Sequence, residues 1–205
     1  MIIDTKDMLK SILTSISQIN YVEPGDIPNI DLYMDQVTTF MDEHLRSSKR
    51  YEDDKVLTKT MINNYAKNNL LPPPVKKKYS KEHVLVMIFI YYFKNILSIK
   101  DIETLLTPIT DKYFKHDSGI DITFIYNEVM ELEKSRINVV TKDIAKSFKN
   151  AAECFSDVPE EEQDYLQIFA FICSLSFDIY VKKLLMQKLI DEFDTDDSRK
   201  DRKKK

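Results

Sequence analysis

Hydrophobic residues recur every three or four positions along most of the chain, which is the spacing of amphipathic α-helices. This spacing predicts one helix over 4–19 and a second over about 31–46, joined by a connector over 21–28 that contains proline and glycine. A helix over about 81–96 is apolar on nearly every side, so we expect it to be the central buried element. The pattern therefore predicts a mainly helical core.

The later part of the chain keeps the same helical spacing. A Ser-x-x-Asp start at Ser98 predicts a helix that ends soon afterwards at Pro108, because proline cannot donate the hydrogen bond that continues an α-helix. Apolar positions over 122–152 predict either one long helix or two helices broken near Thr141. A final helix is predicted over about 159–193, with acidic residues at its start, where the helix dipole favours them.

A shorter helix is predicted from Thr58 to about Asn68. Thr58 is a favourable N-cap, and Asn69 stands where a left-handed C-cap is expected. Three prolines over 72–74 forbid further helix, and 75–79 is a short extended segment. The polar face of this helix, opposite its apolar face, carries Lys59, Thr60, Asn63, Asn64 and Lys67.

Charge is distributed unevenly along this acidic chain, whose 205 residues carry a formal net charge of -4. Residues 55–81 contain seven lysines and neither aspartate nor glutamate, whereas 151–197 is strongly acidic. A single positive segment on a negative protein directs a polyanion to one surface. The same lysines could form an ordinary solvated face, so charge alone leaves nucleic-acid binding and simple solubility as two alternatives.

The lysine-rich region resembles the winged helix-turn-helix of the MerR type. The resemblance lies in MINNYAKNNLLPPP (61–74), KKKYSKEHVLVMIFI (76–90) and LSIKDIETLL (97–106). It implies a recognition helix over 58–68 followed by a basic wing. The matching positions are Ile62, Tyr65, the pair Leu70 and Leu71, Lys77 in the wing, and Tyr79 and Ser80 at the end of the wing.

Residues 27–107 as a whole resemble a family from low-GC Gram-positive bacteria that is catalogued as a domain of unknown function (DUF1836). Its second matching block is IPNIDLYMDQVTTFM (27–41). Some members of that family are regarded as transcriptional regulators, so the resemblance implies a DNA-binding regulator. Asn63 stands where the MerR recognition helix has arginine, and this leaves an alternative: a protein-interaction adaptor that keeps the winged-helix shape without binding DNA.

We predict an all-α protein with a small β wing, in which a winged helix-turn-helix module precedes a C-terminal helical region. The predicted parts are an N-terminal helix and connector over 1–26, the winged module over 27–107, a helical dimerisation or effector region over 108–193, and a disordered charged tail over 194–205. We expect the helices over 121–193, which include the apolar segment 168–177, to pair two subunits or to hold a small-molecule or protein effector.

Side-chain chemistry is consistent with DNA as the partner. Asparagine pairs bidentately with adenine, and lysine reaches phosphates or guanine edges. Consecutive lysines in a wing neutralise phosphates without reading the sequence. One such module supplies few contacts, so we expect a homodimer on double-stranded DNA. The predicted DNA-binding residues are Lys59, Thr60, Asn63, Asn64, Lys67, Lys76, Lys77 and Lys78.

Other classes of site find little support in the sequence. Two glycines are too few for a Gly-rich nucleotide loop, and no nucleophile–base or paired-carboxylate arrangement is legible, so we expect neither an enzyme nor a cofactor. His44, His83 and His116 are scattered and are interpreted as surface or cap residues rather than metal ligands. Two cysteines, no export signal and no long apolar span predict a cytoplasmic protein that is not in a membrane.

Overall fold

A computed structural model describes residues 5–17, 21–114 and 119–202. Two short strands, β1 (Leu32–Tyr33) and β2 (Lys78–Tyr79), accompany a set of helices. The described residues are mostly helical, which confirms the predicted all-α class. The helices are α1 (Thr5–Ser17), α2 (Met34–His44), α3 (Lys59–Lys67), α4 (Lys81–Phe93), α5 (Ile99–Tyr113), α6 (Ile122–Ala152) and α7 (Glu160–Arg202), with a single 3-10 turn described at Arg46–Ser48.

β1 and β2 form an antiparallel pair, in which Leu32 lies opposite Tyr79 and Tyr33 lies opposite Lys78. The prediction of a helix over 31–46 was therefore wrong at its start, because β1 occupies those positions. Tyr33 stays extended as the N-cap of α2, and its backbone N–H donates to Gln36 Oε1 at 2.8 Å. This bond satisfies an N–H at the helix start and lets α2 begin directly after the strand.

α5 continues through Pro108 to Tyr113, so the prediction that Pro108 ends this helix was wrong. The residues after the proline are held by their own contacts. Thr110 is buried, and its hydroxyl donates to the carbonyl of Leu106 at 3.2 Å. Ile109 and Tyr113 pack against the hydrophobic core. Burial of this last turn offsets the hydrogen bond that proline cannot make.

α6 is one continuous helix, which confirms one of the two predicted alternatives. The Thr141 hydroxyl donates to the carbonyl of Ile137 at 2.9 Å, and so it bonds within the helix without breaking it. α7 extends to Arg202, beyond the predicted end at Phe193 and into the tail that was predicted to be disordered. Residues 203–205 lie outside the described residues. Extending an existing helix is far less costly than starting one, since nucleation is the unfavourable step.

The chain divides into two compact units. We call residues 20–130 with 186–205 the core unit, and α1 with residues 131–185 the long-helix unit. α6 and α7 each contribute one part to each unit. No helix in the described ranges is long and apolar enough to cross a membrane.

The hydrophobic core belongs to the core unit and is built around α4. Leu85, Met87 and Ile88 of this helix are fully buried, which confirms the prediction that α4 is the central buried element. Residues from α2, α3, α5 and the first turns of α6 join the same cluster. The core thereby fixes the backbone from which α3 and the segment after it project.

Candidate nucleic-acid interface

α3 begins and ends at defined caps. The Thr58 hydroxyl accepts a hydrogen bond from the backbone N–H of Met61 at 3.2 Å, as expected for an N-cap. At the other end Asn69 is left-handed, with φ of 55°, and its N–H donates to the carbonyl of Ala66. The N–H of Leu70 donates to the carbonyl of Tyr65 at 3.0 Å, which completes a Schellman motif. Both predicted caps are confirmed.

Burial of one face of α3 sets the orientation of the other. Ile62 and Tyr65 are buried in the core, and Leu70 after the C-cap is buried with them. Burial raises the pKa of Tyr65, so its phenol stays neutral over the physiological range. The five side chains predicted for the polar face are exposed, namely Lys59, Thr60, Asn63, Asn64 and Lys67.

The segment predicted to be a wing forms a tight hairpin, and we keep the name wing as a label for residues 75–79. The N–H of Val75 donates to the carbonyl of Lys78 at 3.1 Å, and the N–H of Lys78 donates back to the carbonyl of Val75 at 2.9 Å. Lys76 and Lys77 form the two-residue turn between them, with φ of 49° and 64°. Positive φ at both central positions is typical of a type I′ turn, whose twist matches antiparallel strands. The turn therefore places two exposed lysines at its tip.

That turn conformation is unfavourable for lysine. A residue with a Cβ in the left-handed region costs on the order of 1–2 kcal/mol relative to the usual backbone, and asparagine and glycine are preferred at both positions. The strain is held by the hairpin bonds and by the pairing of β2 with β1. Strained backbone is often found at functional sites, where the surrounding structure can maintain it.

The start of α2 contacts both α3 and the wing. The ammonium of Lys78 lies 5.1 Å from the centre of the Tyr33 ring, in a cation–π arrangement. Two residues further on, Asp35 forms an ion pair with Lys59 in the first turn of α3. The three-residue segment from Tyr33 to Asp35 therefore brings the beginning of the polar helix face next to the base of the wing.

Sequence reasoning missed the contribution of Asp35. The lysine-rich segment 55–81 contains no carboxylate in sequence, but the fold brings this one against Lys59. Both side chains of the pair are more than half exposed, so the pair is weak, typically within 1 kcal/mol. Lys59 is thus exposed yet partly neutralised, and Lys78 is partly buried against Tyr33. Lys67, Lys76 and Lys77 are exposed.

His83 lies buried beneath the wing. Its Nδ1 accepts a hydrogen bond from the backbone N–H of Ser80 at 2.9 Å, and its Nε2 lies 3.4 Å from the carbonyl oxygen of Pro73. The ring also meets Tyr79 edge-on. The prediction of a cap residue is confirmed, although the residue is not at the surface. The imidazole ties together the chain before and after the hairpin and so supports the position of the wing.

The remaining histidines, His44 and His116, do not join His83 in a described site. His44 stacks on Phe40, with ring centroids 4.1 Å apart, and His116 lies outside the described residues. Cys154 and Cys173 are exposed free thiols in the long-helix unit. Within the described ranges, no group of three or more His, Cys, Asp or Glu residues is arranged to hold a metal ion.

Comparison with known proteins gives one family match. The model of a family described as a domain of unknown function (DUF1836) matches residues 22–129, which is more than half of the chain. The chain therefore belongs to this family. Searches of curated proteins and of solved structures found no match.

Proposed function

We propose that this DUF1836 protein is a DNA-binding transcriptional regulator with a MerR-like winged helix-turn-helix. In this proposal α3 enters the major groove and the hairpin at Lys76–Lys78 contacts phosphates. The order of elements supports it: a strand, two helices, and a hairpin whose second strand pairs with the first strand. The observation that carries the proposal is the segment from Tyr33 to Asp35, which contacts Lys59 on α3 and Lys78 on the wing.

The chemistry of the exposed face fits DNA. Asn63 and Asn64 stand in the middle of α3, where a recognition helix contacts base edges, and asparagine can bind adenine bidentately. In this proposal Lys67 and the turn lysines, which are exposed, contact the phosphate backbone. Lys59 must exchange Asp35 for a phosphate, and an exposed ion pair makes that exchange inexpensive.

A dimer would supply the second half-site. In the long-helix unit, α7 carries an uncharged stripe of side chains that are more than half exposed: Tyr165, Phe169, Ile172, Ile179 and Tyr180. With Ser176 included, positions 165, 169, 172, 176 and 179 follow one another at intervals of three or four residues, which is the spacing of a coiled-coil seam, and Tyr180 adjoins Ile179. We call the five aromatic and aliphatic residues the α7 stripe. Phe171, on another side of the helix, meets Phe148 of α6, so α6 does not cover the stripe. A second copy of the chain offers the same stripe in return.

The first test concerns the phosphate contacts. Replacing Lys76, Lys77 and Lys78 by Ala should weaken binding to every DNA alike and reduce the slope of log K against log salt by about 0.9 for each phosphate that is no longer neutralised. The measurement is a gel shift or anisotropy titration on the DNA upstream of the protein's own gene at several salt concentrations. A matched control replaces Lys142, Lys146 and Lys149 of α6, which are also exposed, and should leave the slope unchanged.

The second test concerns base reading. Replacing Asn63 or Asn64 by Ala should cost about 1–3 kcal/mol on the preferred site and much less on unrelated DNA, so that sequence preference weakens. Selection of bound sequences from a random pool, before and after the change, measures this preference. An equal loss on all DNA would count against a base-reading role for α3.

A protein-interaction adaptor is the second candidate. It is favoured by the pairing of Lys59 with Asp35 and by the exposed α7 stripe, both of which suit a partner protein. The salt series separates the two functions. Absence of any salt-sensitive shift with the native protein would support the adaptor and reject the regulator.

A further inference from the structure

The core unit contains a half-open cavity of about 480 Å³, and no residue of α3 or of the wing lines it. Its walls come from α4, α5, the beginning of α6 and the end of α7. All of these segments lie within the core unit, so the cavity belongs to that unit alone. Small-molecule sites in proteins have volumes of roughly 300–1,000 Å³ and are mostly apolar.

The lining of the cavity is almost entirely apolar. Phe89 and Phe93 of α4 face it together with Leu105 and Ile109 of α5, Val129 of α6 and Phe193 of α7. These aliphatic and aromatic side chains are only partly buried or, for Phe193, exposed. No charged residue is among the lining residues, and Thr104 provides the sole polar side chain among them. Such a wall favours an uncharged occupant, since a buried charge would find no partner.

A second polar group follows from Pro108. In α5 the residue that would donate to the carbonyl of Thr104 is residue 108, and proline has no N–H. The carbonyl of Thr104 therefore lacks its regular helical donor. Thr104 and Pro108 both line the cavity. The wall thus includes the residue whose carbonyl is left without its helical donor, and the same residue carries the hydroxyl.

We propose that this cavity binds a small, uncharged, largely apolar molecule that carries a hydroxyl group. The apolar part fills the space between Phe89, Ile109 and Val129, and the hydroxyl donates to the carbonyl of Thr104. Ile125, Val129 and Phe193 of the lining belong to the helices predicted to pair subunits or hold an effector, whereas no residue of the apolar segment 168–177 lines the cavity. The proposal does not depend on DNA binding.

The first experiment measures occupancy with the uncharged dye Nile red on the full-length protein. We expect saturable binding with one site per chain, unchanged when Ile172 is replaced by Glu to disrupt pairing through the α7 stripe. Ile109→Trp fills the cavity and should weaken dye binding by about tenfold or more. The matched control, Phe169→Trp on the α7 stripe, adds the same indole elsewhere and should have no effect. If Ile109→Trp does not fold, as judged by circular dichroism, Thr104→Trp at the same wall replaces it.

The second experiment tests the chemical class by displacing Nile red with three ligands of similar length. Decanol should displace the dye about 3- to 10-fold better than decyl methyl ether, which cannot donate a hydrogen bond. Decanoate, which is charged, should be the weakest. Pro108→Ala restores the missing N–H, so it should remove the preference for decanol over the ether while Nile red still binds.

Four results would count against the proposal. Absence of saturable dye binding would mean that the cavity is filled by protein, either another part of the chain or a second copy. Equal weakening by Ile109→Trp and Phe169→Trp would place the dye on a general apolar surface. A preference for decanoate would reject an uncharged occupant. A preference for decanol that survives in Pro108→Ala would reject the carbonyl of Thr104 as the acceptor of the ligand hydroxyl.

Discussion

The core unit and the long-helix unit use their apolar residues in opposite ways. Every described buried hydrophobic residue except Ala151 lies in the core unit. The long-helix unit instead exposes large side chains along α6 and α7, including Leu132, Phe169 and Tyr180. An exposed contiguous apolar surface on a protein marks an interaction site. The core unit can therefore stabilise itself, whereas we propose that association covers the exposed apolar side chains of the long-helix unit.

The largest expected difference between the two units is the loss of stability when a leucine in each is replaced by alanine. Leu85→Ala removes a fully buried side chain from α4 and should lower the free energy of unfolding by about 2–5 kcal/mol, because it leaves a cavity. Leu132→Ala removes a side chain that is 63% exposed and should cost under about 0.5 kcal/mol. Urea denaturation of both variants at low protein concentration measures the difference. Similar losses would show that the long-helix unit has a core of its own.

The next prediction concerns association. Ile172→Glu places a charge in the middle of the α7 stripe and should raise the dissociation constant of the proposed dimer by about 100-fold, as for a central interface residue. Sedimentation velocity across a concentration series gives this constant. Asn138→Glu adds the same charge at an exposed position of α6 and serves as the control. A dimer that persists unchanged in Ile172→Glu would move the interface away from the stripe.

Elements set by local chemistry could be predicted from the sequence. Thr58 and Asn69 act through bonds to backbone groups within a few residues, so their cap roles follow from residue type and position. Apolar residues on nearly every side of α4 likewise predict from the sequence that it is the central buried helix. The exposed polar face of α3 follows from the same helical period, because Ile62 and Tyr65 fix the opposite side.

Features that depend on distant residues could not be predicted in the same way. β1 is only two residues long, and it exists because it pairs with β2, which lies beyond α2 and α3 in the sequence. The ion pair of Asp35 with Lys59 likewise joins two helices. α5 passes Pro108 because tertiary burial of Thr110 outweighs the local preference of proline to end a helix. The cavity that this helix lines has no sequence signal at all.

A smaller change in stability is expected at the hairpin turn of the core unit, where Lys76 and Lys77 have a strained left-handed backbone. Replacing Lys76 by Asn and Lys77 by Gly gives the turn its preferred residues and should stabilise the protein by about 1 kcal/mol. Replacing both by Ala removes the same two charges but keeps a Cβ at each left-handed position, so stability should not rise. Thermal denaturation compares the two variants. If the lysines contact phosphates, both variants lose DNA affinity equally, and a loss confined to one of them would separate turn shape from charge.

The smallest effect concerns ion pairs in the two units. In the core unit, Lys49 Nζ donates to Asp42 Oδ2 at 2.7 Å, and this bond lowers the pKa of Asp42 from its usual 3.8. A carboxyl whose pKa is lower in the folded state than in the unfolded state adds stability at pH values above its unfolded-state pKa. This contribution is lost as the pH falls through the lowered, folded-state pKa. Asp42→Asn should therefore destabilise the protein by less than about 1 kcal/mol near neutral pH, and the difference should shrink in strong acid.

The long-helix unit provides the matched pair for this measurement. Lys134 Nζ lies 3.1 Å from Glu131 on α6, but that lysine side chain is 36% exposed, compared with 9% for Lys49. Water screens the more exposed pair, so Glu131→Gln should have no measurable effect at any pH. Urea midpoints for both variants over a pH series compare the pairs directly. Equal effects in the two variants would mean that the difference in burial does not change the strength of the two ion pairs. The contrast between the units would then be limited to their apolar residues.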